Sequence, residues 1–127
     1  MDAITEIRSV IHRWCSAFVA SDVDSLVSMY SSDTVFMGTS SQQIINSSNA
    51  IREYFVKATL DRTPKSADLV ELQLRDYGSV VVATALDRIE WSDSKLPQVS
   101  LGRVTFVFLK SAQNWMIVNF HRSRLPQ

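Results

Sequence analysis

Arginine is the residue type whose placement could carry chemistry in this chain. Arg88, Arg103 and Arg122 each interrupt an apolar, β-branched run in the C-terminal half. A guanidinium stays charged at physiological pH and presents planar pairs of N–H donors that match the two oxygens of a carboxylate or phosphate. Centring the last turn on Ala112 and Gln113 sets Arg103 opposite Arg122, with Thr105 facing Phe120, Val107 facing Val118 and Leu109 facing Met116. Treating the polar stretch from Asp93 to Gln98 as a symmetric loop sets Arg88 opposite Arg103. The three arginines then form one row across three strands, beside Leu101 and Phe120, on the wall of a cavity. A β-bulge in either hairpin would turn one of them to the other face.

Like charges aligned in this way repel by about a few kcal/mol per pair at an effective dielectric of ~20. Two arrangements relieve the repulsion. The row can lie solvated at the open end of the sheet, paired with Asp22, Asp24, Asp33 or Glu90, or it can hold an anion. Groups able to move a proton are few. Asp33, at the start of the first strand, is the candidate catalytic base, whereas Asp87 and His121 alternate away from the arginine face and His12 flanks a helical apolar stripe. Tyr30 and Tyr54 could donate a hydrogen bond inside a cavity, or could simply be core. Cys15, the only cysteine, has no disulfide partner within the chain and reads as a small buried hydrophobe.

These residues need elements to hold them. Ile4, Ile7, Ile11, Trp14 and Phe18 recur at three- and four-residue steps and predict a long amphipathic helix. Ser21 with Asp24 predicts the cap of a short second helix burying Val23, Leu26, Val27 and Tyr30. Thr34–Met37 predicts a short strand, and Ser48 or Asn49 the cap of a third helix that buries Ile51, Tyr54, Phe55 and Ala58 and stops before Thr63 and Pro64. Four strands follow, over Ala67–Arg75, Ser79–Trp91, Val99–Lys110 and Trp115–Arg124. The class is α+β, one domain spanning residues 1–127.

The opposite face of these strands, with Ala83, Ala85, Ile89, Trp91, Val104, Phe106, Phe108, Trp115 and Ile117, is also too apolar for water. Three helices can cover one side only, so the other side predicts a sheet-to-sheet homodimer, with a larger assembly left open. Thirteen basic residues balance thirteen acidic ones, which argues against nucleic acid as a partner. No apolar run is long enough to span a bilayer and the N-terminus lacks the pattern of a signal peptide, so the expected location is cytoplasmic, with no membrane partner. Neither a metal site nor a cofactor is expected.

The order of elements resembles the cystatin-like, nuclear transport factor 2-like cone, in which three N-terminal helices pack in a curved antiparallel sheet, as in ketosteroid isomerases and SnoaL-type polyketide cyclases. Arg103-Val104, Trp115 and the ending Val118-Asn119-Phe120-His121-Arg122-Ser123 are similar to the association (hub) domain of calcium/calmodulin-dependent protein kinase II. Arg52-Glu53-Tyr54-Phe55 and Ala85-Leu86-Asp87-Arg88 also match that pattern. The resemblance implies a pocket for a small carboxylate or other anion lined by Arg52, Arg88, Arg103 and Arg122, with Tyr54 and Phe120 beside them; Arg52 enters on the resemblance alone. The stretch from Gly38 to Asn49 departs from the pattern. The resulting expectation is a free-standing homo-oligomeric binding module with no kinase segment, leaning away from an enzyme. The alternative is a lyase or isomerase of the SnoaL or ketosteroid isomerase type acting on an anionic carbonyl substrate.

Overall fold

A computed structural model describes residues 2–60, 62–94 and 96–126. Helix α1 covers Ala3–Val19, capped by Asp2, whose carboxylate accepts from Thr5 N at 2.8 Å. Its apolar stripe buries Ile7, Val10, Ile11, Trp14, Ala17 and Phe18. Helix α2, Val23–Ser28, is capped by Asp22 rather than Ser21, which takes a φ of 55° and turns the chain between the helices. The Thr5 N–H holds the Asp2 carboxyl below its ordinary pKa, and the Ser25 hydroxyl, then the Ser25 N–H, does the same for Asp22. Helix α3, Ser48–Leu60, is capped one residue earlier than expected, by Ser47 Oγ accepting from Ala50 N at 3.1 Å.

The strands are β1 (Tyr30–Met37), β2 (Arg62–Asp76), β3 (Val80–Asp93), β4 (Leu96–Ser111) and β5 (Asn114–Arg124), in the sheet order β1-β5-β4-β3-β2. Three neighbouring pairs are antiparallel. The fourth, β1 with β5, is parallel, so the sheet is mixed where an antiparallel one was expected. β1 begins four residues before the expected strand because Tyr30 already pairs with Ile117; the pairing then skips Ser31–Thr34 and resumes at Val35 with Asn119. β2 is longer than expected and carries irregularities at Pro64/Ser66 and Leu69/Glu71, which bend the edge strand around the helices. The concave face of the sheet packs on α1 and α3, and the core of Ile7, Trp14, Phe36, Phe55, Phe106, Phe108, Ile117 and Phe120 lies between them. Among the described residues no helix is long and apolar enough to cross a membrane.

Register is where the structure departs most from expectation. In the last hairpin Leu109 does face Met116, and Phe108 faces Ile117, but Val107 then faces Asn119 and leaves Val118 without a partner. From this bulge onward every residue of β5 is displaced by one. Thr105 faces His121, Arg103 faces Ser123, and Arg122 faces Val104. Side chains alternate with a period of two, so a slip of one sends Arg122 to the opposite face from Arg103. In the preceding hairpin the strands pair as far as Asp93 with Leu96, and the register moves by two, to Arg88 with Leu101 and Leu86 with Arg103. A slip of two preserves the face. Arg88 and Arg103 therefore stay together on the convex outer face, Arg122 points into the cone, and the row of three arginines does not form.

Candidate functional site

Arg122 is the centre of the one polar cluster inside the cone among the described residues. Asp87 of β3 lies directly opposite Gly102 of β4, and Gly102 lies opposite Arg124 of β5. With no side chain on the intervening strand, the Arg122 guanidinium lies flat over Gly102 and reaches the third strand. A Cβ on Gly102 would overlap the guanidinium. Arg122 donates from Nε to Asp87 Oδ2 at 2.7 Å and from Nη2 to Asp87 Oδ1 at 2.6 Å, a two-point pair whose side chains are 6% and 8% exposed. Its outer edge donates from Nη1 to Thr39 Oγ1 at 2.7 Å and from Nη2 to Ser100 Oγ at 3.4 Å.

Beside this pair is a cavity of about 150 Å³. Its walls are aromatic: Trp14 and Phe18 from α1, Tyr54 and Phe55 from α3, Trp91 from β3 and Phe120 from β5. Arg62 stacks its guanidinium 3.9 Å from the centroid of the Trp91 ring, with Nε donating to the Ala58 carbonyl at 3.2 Å. Arg124, Thr39, Ser40 and Ser100 complete the polar part of the lining. Gly38 lets the turn after β1 close against Tyr54, whose hydroxyl accepts weakly from Ser40 N at 3.5 Å; a Cβ at Gly38 would overlap the phenol. The lining thus contains three guanidiniums, and none of its described residues is Asp, Glu, His or Cys.

The expected site residues separate into two groups. Arg122, Tyr54 and Phe120 line the cavity. Arg88 is half-exposed on the outer face, paired with Glu90, and Arg103 is exposed there with Nε donating to Ser123 Oγ at 3.2 Å. Arg52 sits on the flank of α3 that faces α2, one residue out of step with the buried Ile51 and Phe55, and pairs with Asp24 at 2.5 Å. Asp33 is exposed in the segment where β1 leaves β5, and accepts from Ser31 Oγ at 2.8 Å. The four arginines therefore do not meet, and Asp33 is outside the cavity. Asp87, placed by alternation on the face away from the arginines and so away from the cavity, is instead buried inside the cone, because the face it shares with Ile89 and Val104 is the one that the helices cover; the bulge brings Arg122 to it. Arg62, Arg124, Thr39, Ser100 and Asp87 were not anticipated as site residues, and the one signal for them was Gly102 in the middle of a strand. Cys15 is partly buried beside this cluster; burial, and then the charges of Asp87 and Asp68, push its thiol up to about 11, so it is not a thiolate at neutral pH. Among the described residues no group of His, Cys, Asp and Glu is arranged to hold a metal ion.

The sequence pattern of the SnoaL-like domain family matches residues 7–127. No curated protein sequence matches the chain. Solved structures with the same fold include a protein of Xanthomonas campestris described as a calcium/calmodulin-dependent protein kinase II association domain, at 22% identity, covering 100% of this chain and 91% of that one with a TM-score of 0.90. A ketosteroid isomerase-like protein of Erwinia carotovora is 13% identical over 97% of this chain and 96% of its own, with a TM-score of 0.82. A nuclear transport factor 2-like protein of Cytophaga hutchinsonii is 14% identical over 98% and 100%, also with a TM-score of 0.82. At these identities the likeness is one of fold.

Proposed function

The chain belongs to the SnoaL-like domain family, and from that premise we propose that it is a homodimeric binding protein whose cone holds a small organic anion. The observation that carries this reading is the lining itself, where three guanidiniums and aromatic walls meet without a described acidic residue. Asp87 balances Arg122, so the positive excess at the cavity comes from Arg62 and Arg124. An anion with an apolar body would find charge at one side and ring faces at the other. Acid–base turnover is less well supplied, since Asp33, the candidate base, lies outside the cavity and no described lining residue is a carboxylate or imidazole.

Thermal denaturation against a panel of small carboxylates and phosphates tests the reading. A ligand at 100 times its Kd should stabilise the native state by about 2.7 kcal/mol. Replacing both Arg62 and Arg124 by Gln should reduce affinity roughly tenfold or more, through loss of two charge-assisted contacts. Absence of stabilisation by every anion would remove the proposal. Arg122 is unsuitable as the test variant, because its loss strands Asp87.

The apolar face expected to meet a second copy, with Ala83, Ile89, Val104 and Phe108, is the core that the helices cover, so the homodimer is proposed on the outer face instead. Leu101 and Leu109 are 47% and 39% exposed there, and Val82, Leu86 and Val107 are only half-buried. Cross-strand pairing puts all five on one surface, flanked by Arg88, Glu90 and Arg103. A second copy placing the same surface against it would form a self-complementary interface, for which the standard size is about 800 Å² per partner. The description of the Xanthomonas campestris protein as an association domain is in keeping with this use of the fold. Light scattering should give a dimer mass for the wild type and a monomer mass for Leu101→Glu, whose exposed site makes misfolding a poor explanation. A dimer mass for both proteins would place the interface elsewhere.

A further inference from the structure

Resting on the anion-binding reading, we infer that the ligand is a single-ring aromatic carboxylate, seated end-on against the outer edge of Arg122 in place of the Thr39 hydroxyl. A guanidinium has two usable edges. Asp87 takes one with both oxygens, at 2.7 and 2.6 Å. The other is met by two neutral hydroxyls, Thr39 at 2.7 Å and Ser100 at 3.4 Å, both lining the cavity. The second contact is long, and Nη1 retains one N–H with no acceptor assigned to it. A planar carboxylate presents two charged oxygens to that edge and makes stronger bonds there than hydroxyls do. Thr39 belongs to the turn after β1 and is exposed, whereas Ser100 is buried within β4.

Size and walls select the rest of the ligand. An apolar cavity of about 150 Å³ accommodates one benzene ring, and this cavity measures about 150 Å³. Trp14, Phe18, Phe55, Trp91 and Phe120 offer ring faces and edges to a flat body. A two-ring acid is larger than that volume and would leave part of its second ring outside the aromatic walls, and an aliphatic acid of two carbons leaves those walls uncovered. Because Asp87 already neutralises Arg122, the ligand's own charge must be met by Arg62, held on Trp91, and by Arg124.

Titration calorimetry of the full chain with benzoate, acetate, 2-naphthoate and benzamide tests this assignment. Benzoate should bind at least about tenfold more tightly than acetate, the factor that burial of a ring supplies, and more tightly than 2-naphthoate or the uncharged benzamide. Thr39→Val keeps the side-chain shape but removes the competing hydroxyl, so benzoate should bind about fivefold more tightly, the worth of one ordinary hydrogen bond. Thr39→Ser should restore wild-type affinity. Equal binding of acetate and benzoate, or unchanged or weakened benzoate binding in Thr39→Val, would overturn this inference while leaving anion binding intact. Failure of all three acids to bind would overturn this inference too, and would remove the parent proposal only if no anion of the wider thermal panel stabilised the chain.

Discussion

Asp87→Ala is expected to lower stability by about 3–5 kcal/mol, because it leaves the Arg122 guanidinium charged and buried without its counter-ion. For a chain of this length that is a fall in Tm on the order of 10–20 °C. Both side chains are more than nine-tenths buried, and the two-point geometry across Gly102 leaves Arg122 no alternative carboxylate within the cone among the described residues. Thr39 and Ser100 would remain as neutral partners and soften the loss only slightly. The double variant Asp87→Leu with Arg122→Met should recover most of the stability, since replacing a whole buried pair by apolar groups is often neutral or stabilising. Paired thermal melts decide the matter. A single-variant loss under about 1 kcal/mol would mean that the pair behaves as a solvated surface bridge.

Trp14→Ala should be of similar size, about 3–5 kcal/mol, for a different reason. The indole is the hub of the aromatic core. It stacks on Phe18 at 5.6 Å and on Phe120 at 5.8 Å, and meets Phe55 and Phe106 edge-on at 6.3 and 5.7 Å. Its Nε1 donates to the Tyr30 hydroxyl at 3.0 Å inside the core. Burial drives the Tyr30 phenol well above its ordinary pKa, and the variant removes the indole donor from this buried neutral hydroxyl. Trp14 also forms one wall of the cavity, so the variant should bind 2-naphthoate more tightly than the wild type does. Unfolding curves give the first effect and calorimetry the second. A stability loss without any change in ligand size preference would separate the core role of Trp14 from its role as a wall.

Helical periodicity and strand alternation were legible without coordinates. Ile7, Ile11, Trp14 and Phe18 do form the buried stripe of α1, and Ile51 and Phe55 that of α3. The alternation also put Asp87, Ile89, Val104 and Phe106 on one face of the sheet, where they are. The bulge at Val118 was not legible. Val107, Phe108, Ile117 and Val118 are all apolar, so the pattern around the slip is satisfied with either register, and nothing in the residue types marks which strand carries the extra residue. The short connection after Asp93 was concealed by a polar composition that reads as a longer loop. Arg52 was carried to the cavity by resemblance alone, and a helix rotates about 100° per residue, so its neighbour Ile51 is buried while Arg52 faces Asp24.

Residue types and their periods by themselves determined the α+β class, the approximate extent of most elements, and which residues of β3 and β4 share a face. They also singled out Arg122, which lines the cavity, though in company it does not keep. Only the tertiary structure decided that Arg122 turns inward to Asp87 over Gly102, that Thr39, Arg62 and Arg124 join it, and that Arg88 and Arg103 stay outside. The physical reason is the range of the forces involved. Periodicity reports how a few successive residues divide between core and water, whereas register is settled by the fit of the whole aromatic core against the sheet. There a single unpaired residue, Val118, exchanges the faces of every side chain that follows it.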